Sequence, residues 1–74
     1  PGDVAMVFID GDHSYEAVRN DLTMVVGIVP SGSLIAMHDV KAFDEVQRTM
    51  AEGIVSEQVR LIGMVQNLAI LRKR

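Results

Sequence analysis

The sequence predicts an α/β fold built on a parallel pair of strands. Two apolar runs, residues 4–9 and 34–37, stand about two dozen residues apart, and each stops at acidic and imidazole side chains. Runs of that length, rich in Val, Ile and Phe, read as strands buried on both faces. The segment between them carries apolar residues at helical spacing, and it is long enough for a right-handed crossover. In open parallel sheets, ligands bind just past the carboxyl ends of the strands. The polar residues of this chain gather there: Asp10, Asp12 and His13 after the first run, His38 and Asp39 after the second.

Each element has a local cause. Residues 4–9 form the first strand. Asp12 or Ser14 caps the following helix, because a short side-chain oxygen accepts an orphan amide proton of the first turn. Glu16 complements the helix dipole there. Tyr15, Val18, Leu22, Val25 and Val29 share one helical face, while Arg19, Asn20 and Thr23 fall elsewhere. The helix ends between Gly27 and Pro30, since proline disfavours helical geometry in the residue before it. Pro30-Ser31-Gly32-Ser33 makes a turn, and residues 34–37 form the second strand. A second helix is expected over residues 42–52, with Phe43, Val46 and Met50 as its buried stripe. Gly53 is the expected left-handed residue at its end. Residues 57–64 alternate weakly and residues 68–71 are apolar, so Gln66-Asn67 between them reads as a hairpin turn.

Bulk properties narrow the functional classes. The chain has 74 residues, which is one domain at most. It is 49% hydrophobic, high for a chain this small. That excess implies apolar surface meant for a neighbour: another subunit, or sequence removed from this chain. Beginning at Pro1 agrees with excision from something longer. Ten acidic and seven basic side chains give a net charge of −3, and three of the basics are Arg72-Lys73-Arg74. The body is therefore acidic and lacks a nucleic-acid footprint. The terminal triplet reads as solvated, with a phosphate contact as its alternative. Without cysteine there is no disulfide, thiolate nucleophile or zinc knuckle. No membrane-spanning run or secretory signal is visible, so a cytoplasmic location is expected. The five methionines read as core filler.

The acidic cluster has its own chemistry. Carboxylates from two adjacent strand ends repel one another unless something sits between them. A Mg²⁺ or Ca²⁺ ion with oxygen ligands resolves that conflict. Gly11 allows a sharp turn and close approach of a ligand. His13 has an unperturbed pKa near neutrality and suits a general base. His38 is a ligand, a base or a hydrogen-bonded spacer. The structural alternatives are that Asp12 caps the first helix and Asp39 the second. Asp10 favours a functional reading, because a charge directly after a buried strand is costly without a partner.

The string Phe8-Ile9-Asp10-Gly11-Asp12-His13-Ser14-Tyr15-Glu16, then Asp21-Leu22, then Pro30-Ser31-Gly32-Ser33-Leu34-Ile35-Ala36-Met37-His38-Asp39 resembles class I S-adenosylmethionine-dependent methyltransferases. It looks closest to the small-molecule O-methyltransferases related to macrocin O-methyltransferase and cephalosporin hydroxylase-type proteins. Pro30-Ser31-Gly32 departs mildly from the usual Pro-Gly-Gly. The resemblance is good over about residues 1–40 and holds in outline beyond. It implies a partial Rossmann-like sheet in which an antiparallel last strand inserts beside residues 34–37. It implies metal ligation by Asp10, Asp39 and His38, and a base at His13 or Asp12. It also implies S-adenosylmethionine as cofactor, with Mg²⁺ as the candidate metal. The glycine-rich cofactor loop of such enzymes has no counterpart here, since Gly11, Gly27, Gly32, Gly53 and Gly63 form no G-x-G cradle. The chain is therefore expected to be the carboxyl-terminal part of such a domain, residues 1–74 as one unit, inactive by itself.

Two functions follow as expectations. One is part of an O-methyltransferase acting on a small-molecule hydroxyl, assisted by metal. The other is a non-catalytic half-domain that oligomerises or binds a metal or partner. Either way the partners expected are a small acceptor and a second copy or a missing amino-terminal half, with neither nucleic acid nor membrane.

Overall fold

The computed structural model describes residues 5–9, 14–40 and 42–74. The elements are β1 (Met6–Ile9), α1 (Tyr15–Ile28), β2 (Leu34–His38), α2 (Asp44–Val55), β3 (Val59–Val65) and β4 (Leu68–Lys73). They form a four-stranded mixed sheet in the order β1-β2-β4-β3. β1 and β2 run parallel, from Met6↔Leu34 to Ile9↔Met37. β4 is antiparallel to β2, from Leu34↔Arg72 to His38↔Leu68. β3 and β4 make the closing hairpin, with a bulge between Leu61 and Gly63. The last strand thus inserts beside the second and leaves the third at the edge, as the family resemblance implies. This is an α/β architecture of the partial Rossmann-like kind.

Both helices bury apolar stripes against the sheet. Val18, Leu22 and Val25 from α1 and Val46 and Met50 from α2 join Ile9, Ile35, Met37, Ala69 and Leu71 in one core. Ile35, Met37 and Leu71 are inaccessible to water. Each such side chain contributes roughly 1.5–3 kcal/mol of hydrophobic stabilisation. Successive strand residues point to opposite faces. The β1 residues Met6 and Phe8 therefore stand on the face opposite the core, 66% and 55% exposed. No helix among the described residues is long and apolar enough to cross a membrane.

The helix ends show where local rules held. Ser14 caps α1, its Oγ accepting the Ala17 amide proton at 3.3 Å. The other candidate cap, Asp12, lies outside the described residues. Val29, just before Pro30, adopts extended geometry and ends the helix. α2 starts later and runs longer than the expected residues 42–52. Asp39 does not cap it. Phe43 holds the cap position without a side-chain capping bond. Phe43 is also 38% exposed, so the buried stripe begins at Val46. The cause is a turn ahead of the helix, in which the Asp39 carbonyl accepts the amide protons of Ala42 and Phe43 at 3.2 Å each.

Gly53 is likewise not the left-handed terminator but an interior residue of α2. Glu57 takes the left-handed conformation instead, with φ 63°. What Gly53 provides is close approach. A Cβ there would stand 3.2 Å from Val59 Cγ2 and 3.3 Å from Leu22 Cδ2.

Candidate functional site

The carboxyl edge of the parallel pair is where β2 delivers His38 and Asp39. Ile9 is the register partner of Met37, so β1 and β2 end at the same edge. Asp10, next in sequence to Ile9, lies outside the described residues, as do Asp12 and His13.

Asp39 is held in an unusual backbone conformation, φ 64°. Aspartate tolerates the left-handed region better than most residues. The turn it makes carries the chain off the sheet, and the Val40 amide then donates to the Asn67 carbonyl at 3.2 Å. Asn67, in the β3–β4 hairpin, returns the contact: its Nδ2 donates to Asp39 Oδ1 at 2.9 Å. His38 Nδ1 lies 3.0 Å from the same oxygen. One carboxylate oxygen thus meets an amide from one side and an imidazole from the other. The His38 ring also lies tilted by Phe8, with ring centroids 6.1 Å apart. The Asp39 side chain is 19% exposed and that of His38 43%, so the pair is rigidly backed yet open to a ligand.

Asn67 is the site residue that sequence reasoning missed. It read as the residue tolerant of φ > 0 in the hairpin. Gln66 takes that conformation, with φ 53°. Asn67 is left to orient Asp39, and only the strand order β2-β4-β3 brings the two together.

The donor set decides how well a cation fits. Hard divalent ions take oxygen ligands, and an oriented carboxylate backed by an amide donor matches the usual support of a metal ligand. Asp39 therefore fits the edge of a cation site. Among the described residues, no group of three His, Asp or Glu side chains completes one. S-adenosylmethionine fits less well, because the chain has no G-x-G cradle for it. No residue is assigned to that cofactor.

A second polar cluster clasps the two helices together. The Tyr15 hydroxyl donates to Glu52 Oε1 at 2.6 Å. The Arg48 guanidinium lies 4.1 Å from the Tyr15 ring centroid, and its Nε is 3.5 Å from Glu52 Oε2. The hydrogen bond to Glu52 holds the Tyr15 phenol above its ordinary pKa.

Comparison with known proteins agrees with this geometry. The family model described as a methyltransferase domain matches residues 1–40. No curated protein and no solved structure matches the chain. The matched segment includes β1, α1 and β2, and it contains Asp10, Asp12, His13, His38 and Asp39. A parallel strand–helix–strand unit ending in that polar edge, matched over more than half its sequence, makes this chain a member of the methyltransferase-domain family.

Proposed function

We propose that the chain is the acceptor-side part of an S-adenosylmethionine-dependent O-methyltransferase acting on a small-molecule hydroxyl. The observation that carries this reading is the Asn67–Asp39–His38 arrangement at the carboxyl edge of a strand pair that the family match covers. S-adenosylmethionine, when bound, supplies an electrophilic methyl group. Asp39 and His38, with Asp10, would hold a divalent cation beside the acceptor, where its charge lowers the pKa of a hydroxyl.

The remaining roles belong to side chains of this chain. Asn67 fixes the Asp39 carboxylate, so the acceptor meets a preset acceptor of hydrogen bonds. Such positioning accounts for much of the rate in a transfer between two bound partners. His13 or Asp12 takes the hydroxyl proton as general base. The glycine-rich cofactor loop belongs, on this reading, to sequence amino-terminal to these 74 residues.

The test uses the polypeptide as its gene encodes it, assayed with methyl-tritiated S-adenosylmethionine and a panel of small hydroxylated acceptors. His13→Ala and Asp12→Asn separate the two candidate bases, and Asp39→Asn keeps an acceptor for Asn67 while removing the charge. We expect one base variant and Asp39→Asn to lose on the order of 10²-fold or more in turnover. Cofactor affinity stays unchanged. Full turnover in all three variants overturns the assignment.

A further inference from the structure

We propose that the opposite edge of the sheet binds a soluble phosphoryl-bearing anion, of the diphosphate or phosphomonoester class, in a cleft built around Arg60, Arg72 and Arg74. This site is separate from the carboxyl-edge cluster, which lies about 13 Å away along β2 at the usual rise per strand residue.

The first observation is register. Arg60 on β3 is the direct cross-strand partner of Arg72 on β4. Directly opposed residues in an antiparallel pair project from the same face with Cβ atoms about 4.5–5.5 Å apart, and like charges there are destabilising. Arg74, two residues after Arg72, continues on that face. Its amide donates to the Gln58 carbonyl at 3.0 Å, so the backbone ladder continues to that point.

The second observation is the lack of internal compensation. Among the described residues, no carboxylate pairs with Arg60, Arg72 or Arg74. The three line a cleft of about 390 Å³ with Ser31, Gly32 and Lys73. Three of the chain's seven basic side chains thus share one cleft with no acidic residue among the described residues of its wall, in a chain whose net charge is −3.

The third is rigidity. The Gly32 amide donates to the Lys73 carbonyl at 2.8 Å, and the Lys73 amide donates to the Ser33 carbonyl at 2.9 Å. Lys73 Nζ is fixed on the Val29 carbonyl at 2.7 Å. The floor of the cleft is therefore braced from both sides. Guanidinium groups bind tetrahedral oxyanions through paired hydrogen bonds, and a doubly charged anion between Arg60 and Arg72 turns their repulsion into attraction. The triplet 72–74 is thereby not a loose end. Arg72 and Lys73 belong to β4, and Arg72 meets Arg60 across the strands, a juxtaposition only the fold creates.

The test is calorimetric titration of the chain with sodium pyrophosphate, at an ionic strength held constant with NaCl. Two variants accompany it: Arg60→Glu, which places a carboxylate opposite Arg72, and the milder Arg60→Gln. Circular dichroism confirms that each folds. We expect saturable binding to the wild type, weakened about tenfold or more in Arg60→Glu and by less in Arg60→Gln. Absence of saturable binding at matched ionic strength overturns the proposal. So does equal affinity in wild type and both variants. Association only with phosphatidylglycerol vesicles, without pyrophosphate binding, assigns the cleft to a membrane surface and overturns the soluble ligand.

Discussion

Asp39 shows at the scale of one residue how a site is prepared. Its left-handed backbone turns the chain off the sheet, and Asn67 and His38 converge on one oxygen of its side chain. The sequence made Asp39 a candidate by its place after an apolar run. It could not make Asn67 one, because the two are 28 positions apart and meet only through strand pairing. Tyr15 carries the same lesson. Its helical spacing placed it on the buried face, whereas its hydroxyl reaches Glu52 on α2. A phenol whose folded-state pKa is raised stabilises the fold fully below its unfolded value of 10.0, and that contribution is lost as pH rises through the raised value. The chain has one tyrosine and no tryptophan, so its phenolate absorbance reads this group alone. We expect its alkaline titration midpoint to lie above the ordinary tyrosine value, and to fall back in Glu52→Gln. An unchanged midpoint in that variant would remove Glu52 as the cause.

Elements were legible where the period was strong and misjudged where tertiary contact set the boundary. The strands follow from apolar runs and connection lengths, whereas their order is implied by the family resemblance. The α1 cap and stop follow from Ser14 and Pro30. The limits of α2 did not follow, because the Asp39 turn delays its start and packing carries it past Gly53. The two helical glycines separate propensity from packing. Gly27 in α1 is exposed, and a Cβ there meets nothing within 4 Å. Gly27→Ala is expected to stabilise the chain by about 0.5–1 kcal/mol, the usual cost of glycine in a helix interior. Gly53→Ala gains the same propensity but presses on Leu22 and Val59, both packed in the core. Overpacking of that kind typically costs about 1–3 kcal/mol, so Gly53→Ala is expected to destabilise. Denaturant midpoints of the two variants should move in opposite directions. Equal gains would show that α2 shifts freely against β3.

For the whole molecule, the helices cover one face of the sheet, and the strand order leaves β1 with a single partner among the described strands. The outward residues Met6 and Phe8 then meet water in the chain by itself, consistent with a composition apolar beyond what so small a core absorbs. An unpaired edge beside exposed apolar side chains is a template for another strand. Burying what remains exposed of Met6 and Phe8 would contribute roughly 1–2 kcal/mol each for every copy, before the cost of association. We therefore expect the 74-residue chain to self-associate through β1. Met6→Lys sets a charge on that strand while leaving the core side untouched, since Met6 faces away from it. Sedimentation equilibrium should show the wild type associating with rising concentration and Met6→Lys shifted towards monomer. A monomeric wild type at the highest concentration would mean that the exposed strand tolerates water unaided. An associating Met6→Lys would place the contact elsewhere, with Ile62, Met64 and Val65 on the exposed β3 edge as the next apolar surface to probe.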